Sequence, residues 1–546
     1  MVLVLTFLGG GVGLAVGVAI GAVMFVGGAT QRVLLVLSAV LFALVPLVVL
    51  VHGLPPAFFL TPDFVRKDLP AHYVAGAALV LLILGIVRSV AVGPADLEEL
   101  ELATRDRAQP VGEAPPRADQ SRVAPFVFVL MIASVGALVL RLAASADAFA
   151  DPTSRVIASN LVAGRGFSLP GPMGGLVPTG TRMPLVPSLL ALAGITGSPA
   201  TAARVLWAIL GAAAVPITGV AARRLFGTAA GWITACVMAL LPVFWLANVR
   251  LDAAPVGAFL VSLLVLAMAP PRGHAVTPTR SLAVGAVAGG LALARPEGLV
   301  VGLAMVVAWV LAAPAGGDTR KRNRRAALTL AALIGASAVF GPWLLRNWSH
   351  FHTLLPTTGA GFVAAGANAP TAYSGPFLGS FDLRAANRAR GRPSLEEEAA
   401  LDRRLRAQAW SFARDHSPRL APVVVARLLR TFEAWDPANE RRVHGARGLR
   451  TKGWTAAWAA FIPLLALAGL GYARLWRRRK SLLAPLFVAP LAVAVVAIAS
   501  YGEPLMRTAI DPVLVVVASG TIAEVAARVW REQGADPNSG RHRVRV

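Results

Sequence analysis

The chain has 546 residues, of which 56% are apolar and only 15% charged, well below the roughly one quarter charged that is usual in soluble domains. That balance excludes an ordinary soluble enzyme and makes a lipid bilayer the expected solvent. The net charge of +24 does not point to nucleic acid, because the Arg and Lys residues cluster in short loops between apolar stretches, as cytoplasmic loops require.

Apolar stretches long enough to cross a hydrocarbon core of about 30 Å predict helices near 3–27, 33–52, 72–93, 124–143, 205–222, 229–248 and 253–270. They continue at 281–295, 298–314, 326–345, 454–473, 482–500 and 508–528, which makes about 13 in all. The first stretch lacks a basic start and a small-residue cleavage site, so it reads as a retained helix rather than a signal peptide. Its glycines, Gly9 to Gly21, have the small-residue spacing of helix packing. A polar linker at 96–122 separates this three-helix unit (1–95) from the body. The body divides into a core at 123–349, an external segment at 350–453, C-terminal helices at 454–530 and a basic cytoplasmic tail at 531–546. The expected class is an all-α, multi-pass plasma-membrane protein. Cys236, the single cysteine, lies in an apolar stretch, so no intrachain disulfide can form.

Arg223, Arg224, Arg280, the basic run 320–325 and the run 474–480 all fall on one side, which should be the cytoplasm. The apolar stretch from Pro184 to Gly197 is too short to span, and treating it as a span would invert those clusters. It is predicted to be an interfacial helix within a first external loop at 144–204.

Between Ala124 and Trp348 the acids are Asp147, Asp151, Asp252, Glu297 and Asp318, and all but Asp318 fall at the external membrane surface. Ionisable groups beside a bilayer are costly, so these mark a candidate site. Asp151 precedes Pro152 at a plausible helix start, and two readings stay open: a helix cap, or a base for an acceptor hydroxyl. Arg155, Arg182, Arg250, Arg295, Arg346 and Arg507 collect on the same face, and guanidinium forks suit phosphate oxygens. No Walker loop, dinucleotide fingerprint, zinc spacing or Gly-x-Ser-x-Gly elbow occurs. His350 and His352 lack an evident third metal ligand. The charge run at Glu396, Glu397 and Glu398 is expected on an amphipathic helix, either as a solvated face or as a cover over the site.

The order of several segments then carries a resemblance. It lies in the run from Asp151-Pro-Thr-Ser-Arg through Gly-Arg-Gly-Phe167, and in Arg182-Met-Pro followed by an apolar helix. It continues in Arg223-Arg-Leu-Phe-Gly227, Arg295-Pro-Glu297-Gly298, Pro342-Trp-Leu-Leu-Arg346-Asn347, Gly366-Ala-Asn368-Ala-Pro370 and the stretch from Gly502 to Pro512. Over about 124–528 the chain resembles the polytopic glycosyltransferases of the GT-C fold, in particular protein O-mannosyltransferases and lipid A aminoarabinose transferases.

The resemblance implies a sugar transferred, with inversion, from a polyprenyl-phosphate carrier to an envelope lipid, polysaccharide or protein on the extracytoplasmic face. It gives the base to Asp151, with Asp147 in reserve and Asp252 as a second acid. It gives the donor phosphate to Arg182, Arg346, Arg507 and Arg295, and the cavity to Glu297, Asn347 and Asn368. It leaves a divalent metal open as cofactor and implies no nucleic-acid partner. A secondary transporter and an inactive envelope scaffold are the rival readings.

Overall fold

The computed structural model describes residues 120–534 apart from 146–149, 172, 196–197, 270–275, 313–318, 392–396, 436–438, 441–453 and 479–482. The three predicted N-terminal helices, nearly all of the linker, Asp147 and the basic tail lie outside the described residues.

Among the described residues, the first ten helices are α1 (Gln120–Ala144), α2 (Pro152–Val162), α3 (Leu185–Gly194), α4 (Pro199–Phe226), α5 (Thr228–Leu240), α6 (Pro242–Leu246), α7 (Ala253–Met268), α8 (Pro278–Ala294), α9 (Pro296–Ala312) and α10 (Thr319–Phe351). A smaller layer follows with α11 (Ala360–Ala367), α12 (Leu383–Arg390), α13 (Glu398–Asp415) and α14 (Leu420–Thr431). The chain then returns to the bundle in α15 (Trp454–Arg478), α16 (Ala484–Ala499), the short α17 (Pro504–Arg507) and α18 (Asp511–Gly534).

The described residues are mostly helical, as the all-α class predicts, with one short antiparallel hairpin of β1 (Ser168–Pro170) and β2 (Leu176–Pro178) in which Leu169 is opposite Val177. One expectation needs correction. The continuous helix expected at 229–248 breaks at Leu241, whose ψ of 124° is extended. Pro242 forces this, because its ring disfavours a helical conformation in the residue before it.

Four helical stretches among the described residues are long and apolar enough to cross a membrane: Pro125–Ala144, Pro199–Phe226, Asn323–Phe351 and Trp458–Leu475. Others, such as α7, α9 and α16, have 16 or 17 residues, short of the about 20 that span a bilayer squarely.

Two apolar cores share α4 and α18. One joins α1, α4, α5, α15 and α18 through Phe126, Trp232, Phe461 and Leu514. The other joins α7, α8, α9, α16 and α18 through Leu264, Leu291, Met305, Val493 and Val513. From Asp511 to Thr521 every residue of α18 is buried, the pattern of a central helix rather than a surface one.

Helices α8 and α10 meet at a seam of small residues, where Gly285 and Gly289 face Ala332 and Ala336. A Cβ on Gly285 would sit 1.9 Å from the Ala332 carbonyl oxygen, and one on Gly335 would sit 2.1 Å from that of Leu282. Small residues let backbones approach this closely, and dispersion then holds the pair together. Gly285→Val should therefore separate the two helices. The expected outcome is a loss of folded protein in detergent, read as a thermal midpoint lowered by a few degrees, consistent with roughly 2–3 kcal/mol of overpacking.

The ends of the bundle differ in charge. At one end, Arg224 and Arg280 donate to the last carbonyls of α7: Ala269 from both, with Leu266 and Ala267 also accepting from Arg280. Arg324 and Arg325 likewise donate to the Val276 and Leu311 carbonyls. Cations there satisfy orphan carbonyls and favour the negative pole of the helix dipole. The acids singled out above that fall within the described residues lie at the opposite end.

Candidate active site

At that opposite end the chain leaves α1 and enters α2 at Asp151. Pro152 takes the first helical position, where its missing N–H is not needed. The Asp151 Oδ2 atom accepts from the Ser154 amide at 3.0 Å and from its hydroxyl at 3.1 Å, so the carboxylate caps the helix. Arg182 grips the same carboxylate with two parallel bonds, Nε to Oδ2 and Nη2 to Oδ1, both 3.1 Å. Partial burial pushes the Asp151 carboxyl up, but Arg182 and Ser154 outweigh it and hold the group below the usual carboxylate range. The pair stays open to solvent, with side-chain exposures of 34% for Asp151 and 44% for Arg182.

A second pair stands at the start of α7. Asp252 caps that helix by accepting from the Ala254 amide at 2.9 Å, and its Oδ2 lies 3.0 Å from Arg250 Nε. The Asp252 carbonyl accepts from Trp207 at 2.8 Å, which ties α7 to α4. A third pair spans the break between α8 and α9, where Arg295 Nη2 donates to Glu297 Oε1 at 3.3 Å. Arg295 also donates to the Leu505 carbonyl at 2.7 Å and feels the charge of Asp252. Glu297 Oε2 is buried with no hydrogen-bond donor among the described residues.

One apolar cluster draws the three pairs together. It contains Ala150, Leu251 and Ala294, the immediate neighbours of Asp151, Asp252 and Arg295, packed with Leu190, Ala193 and Trp207. A second small cluster puts Met183, next to Arg182, against Ala292, Phe340 and Trp343. Residues far apart in sequence thus ring the ends of α3 and α8.

Other predicted site residues are committed to the framework. Arg346 donates to the Thr179 carbonyl at 2.7 Å, the Phe167 carbonyl at 2.9 Å and Asn347 Oδ1 at 3.0 Å. Its guanidinium also lies 5.1–5.5 Å from the rings of Trp343, Phe167 and Phe351. These contacts lock the hairpin to the end of α10. Asn347 is buried and donates to the Leu355 and Pro356 carbonyls, closing the turn after that helix. Asn368 ends α11 and accepts from Tyr373 at 2.8 Å and Arg427 at 3.2 Å. Arg507 is fully buried beneath the site, with Asp511 at 2.7 Å, Glu433 at 3.3 Å and the Phe461 ring at 3.4 Å.

Sequence reasoning missed two groups. Glu398, read as part of a charge run, accepts from the Gly180 amide at 2.7 Å and from the Thr358 hydroxyl, two residues from Arg182. Arg141 was hidden at the end of an apolar stretch, where an Arg reads as a flank. It is fully buried among α1, α4 and α5, and among the described residues it donates only to the Ala137 and Met238 carbonyls. A small cavity beside it is lined also by Ala254, Thr508 and Asp511, directly under the second and third pairs. No carboxylate bonds it within the described residues; the signal for it was an arginine with no acid within reach in its own stretch.

The described acids do not suit a divalent cation. Asp151 and Asp252 are each filled by a guanidinium and backbone donors, and no group of three His, Cys, Asp or Glu among the described residues could hold an ion.

No protein-family model and no curated protein matches the sequence. Among solved structures, the chain is similar to the archaeal oligosaccharyltransferase AglB from Archaeoglobus fulgidus in complex with an inhibitory peptide and a dolichol-phosphate. The identity is 15% and the TM-score 0.44, over 78% of this chain and 53% of that one. The apo form of the Archaeoglobus fulgidus oligosaccharyltransferase gives 16% and 0.44, over 75% and 52%. ArnT from Cupriavidus metallidurans bound to undecaprenyl phosphate gives 15% and 0.32, over 74% and 79%. The chain thus spans about half the length of the oligosaccharyltransferases.

Proposed function

We propose that the protein is an inverting glycosyltransferase that takes a sugar from a polyprenyl-phosphate donor at the extracytoplasmic face of the plasma membrane. The observation that carries this is the convergence of Asp151–Arg182, Asp252–Arg250 and Arg295–Glu297 around one cluster at the acid-bearing end. A hydroxyl nucleophile needs a carboxylate, a phosphate leaving group needs guanidinium forks, and both kinds of group stand together there. The arginine-rich opposite end supports a cytoplasmic orientation for that side. The motif order that resembles GT-C enzymes supports the donor class.

Exposure separates the arginines. Arg182 and Arg250 keep side-chain exposures of 44% and 33%, against 12% for Arg295 and none for Arg507. Arg182 and Arg250 therefore take the donor phosphate, while Arg295, Arg346 and Arg507 hold the walls. When phosphate arrives, Arg182 exchanges the Asp151 carboxylate for phosphate oxygens, and Asp151 gains proton affinity as it is released. Asp151 then accepts the acceptor hydroxyl proton while that oxygen bonds to the anomeric carbon. The carbon–oxygen bond to phosphate breaks, and its electron pair leaves with the lipid phosphate. Burial of the lipid tail against apolar helices orients the reacting atoms.

The test is transfer of radiolabelled sugar from synthetic polyprenyl-phosphate donors by the purified protein in detergent. Donor binding with transfer is the expected result. Absence of donor binding would overturn the reading and favour a transporter, while binding without transfer to any envelope fraction would favour a scaffold.

A further inference from the structure

The layer formed by α11 to α14 has a charge asymmetry that the transfer reaction does not use. Three of its described acids make contacts within the protein, while Glu397 and Asp415 are exposed. Asp382 caps α12, accepting from the Arg384 and Ala385 amides at 2.8 and 3.0 Å. Glu398 holds Gly180 and Thr358, and the buried Asp402 accepts from the Gly361 amide at 2.5 Å and from Arg406. Six of its arginines point the other way, while Arg427 and Arg430 are buried. Arg384, Arg388, Arg390, Arg403, Arg414 and Arg419 are all exposed, and none has a carboxylate within salt-bridge distance among the described residues.

Helical spacing organises this surface. Arg403, Ala407, Trp410 and Arg414 fall at i, i+4, i+7 and i+11, one stripe of α13. Trp410 is 66% exposed, and the Arg414 guanidinium lies 5.8 Å from its ring. The apolar residues of the same helix, Leu405, Ala409 and Ala413, are buried against the protein. A helix lying on a bilayer needs its apolar face turned to the lipid, and this one is turned away from solvent. An open aromatic ring among exposed guanidinium forks instead suits a hydrophilic chain carrying phosphate or carboxylate groups, with sugar rings to stack.

We infer that the arginine face of α12 and α13 is a docking surface for an anionic saccharide chain, which serves as the sugar acceptor. The word acceptor rests on the glycosyltransferase reading; the binding surface does not. Glu398 bonds the amide of Gly180, two residues before Arg182, so α13 is fastened to the loop that carries the donor-side arginine. A chain held on this face is therefore tied to the catalytic end by a direct hydrogen bond rather than by a free linker.

The experiment uses the full chain in nanodiscs of zwitterionic lipid, with fluorescein-labelled polygalacturonate as probe and neutral dextran of equal length as control. Anisotropy should show binding of the polyanion at least tenfold tighter than dextran, weakening as salt is raised. Arg388→Gln, Arg403→Gln and Arg414→Gln together should lower polygalacturonate affinity at least tenfold, with an unchanged thermal midpoint and unchanged donor binding. Trp410→Ala should weaken the probe severalfold. Equal binding by wild type and the triple variant would overturn the proposal, as would equal binding of polygalacturonate and dextran. Loss of probe binding by wild type in nanodiscs of anionic lipid would also overturn it, assigning the face to lipid headgroups. Intact polyanion binding in a protein that binds no donor would remove only the acceptor role.

Discussion

Asp151→Asn is expected to abolish sugar transfer, by roughly 10²–10⁴-fold, while donor binding persists. The amide keeps the size of the side chain and can still accept from Ser154, so α2 keeps its start and the loss isolates the proton acceptor. Arg182→Met should have a different signature. Arg182 holds the Asp151 carboxyl below its usual range, against the upward push of burial. A base with a depressed pKa works above that pKa and fails as pH falls through it. Removing Arg182 raises the pKa, so the acid limb of the pH–rate profile should move to higher pH, and donor affinity should fall as well. An acid limb that stays in place in Arg182→Met would break the link between the pair and catalysis. Unchanged transfer by Asp151→Asn would pass the base to another acid, with Asp252 the first to examine.

Arg507→Met should produce the largest loss of stability, on the order of 3–5 kcal/mol, because it strands two buried carboxylates. Asp511 and Glu433 would lose their shared cation, and the Phe461 ring its stacked guanidinium. Thermal unfolding in detergent reads the effect directly. Arg507→Met combined with Glu433→Gln and Asp511→Asn should recover most of the loss, since the neutral set leaves no charge unpaired. Folded Arg507→Met protein should bind donor like wild type, because the guanidinium is sealed beneath the site. A selective drop in donor affinity at unchanged stability would return Arg507 to the phosphate-binding role implied by the resemblance.

How much of the site was legible varies by residue, for physical reasons. Asp151 announced its cap through Pro152, a local signal needing only the next four residues. Its second partner, 31 residues away, could not be read, since nothing local says where Arg182 will point. Arg346 was legible as a cation at a helix end. Its use depends on two carbonyls some 170 residues earlier, at Phe167 and Thr179, and carbonyls leave no trace in side-chain chemistry. Glu398 looked like its solvated neighbours because a charge run hides which member turns inward. The hairpin went unseen because three-residue strands carry too little alternation to register as a period.

The sequence by itself determined the solvent, the course of the main helices in the body and the segregation of acids from the arginine-rich loops. Those follow from composition and from patterns within about 20 residues, the length over which the bilayer and the helix impose their constraints. The tertiary structure alone decided which arginines remain accessible and which are walled in, and that three ion pairs surround one apolar cluster. It also decided the small-residue seam between α8 and α10, where two glycine-bearing faces had to meet before their spacing could matter. Such outcomes rest on contacts between distant segments, and a guanidinium becomes a ligand site or a wall only according to which carbonyls and carboxylates the fold brings to it.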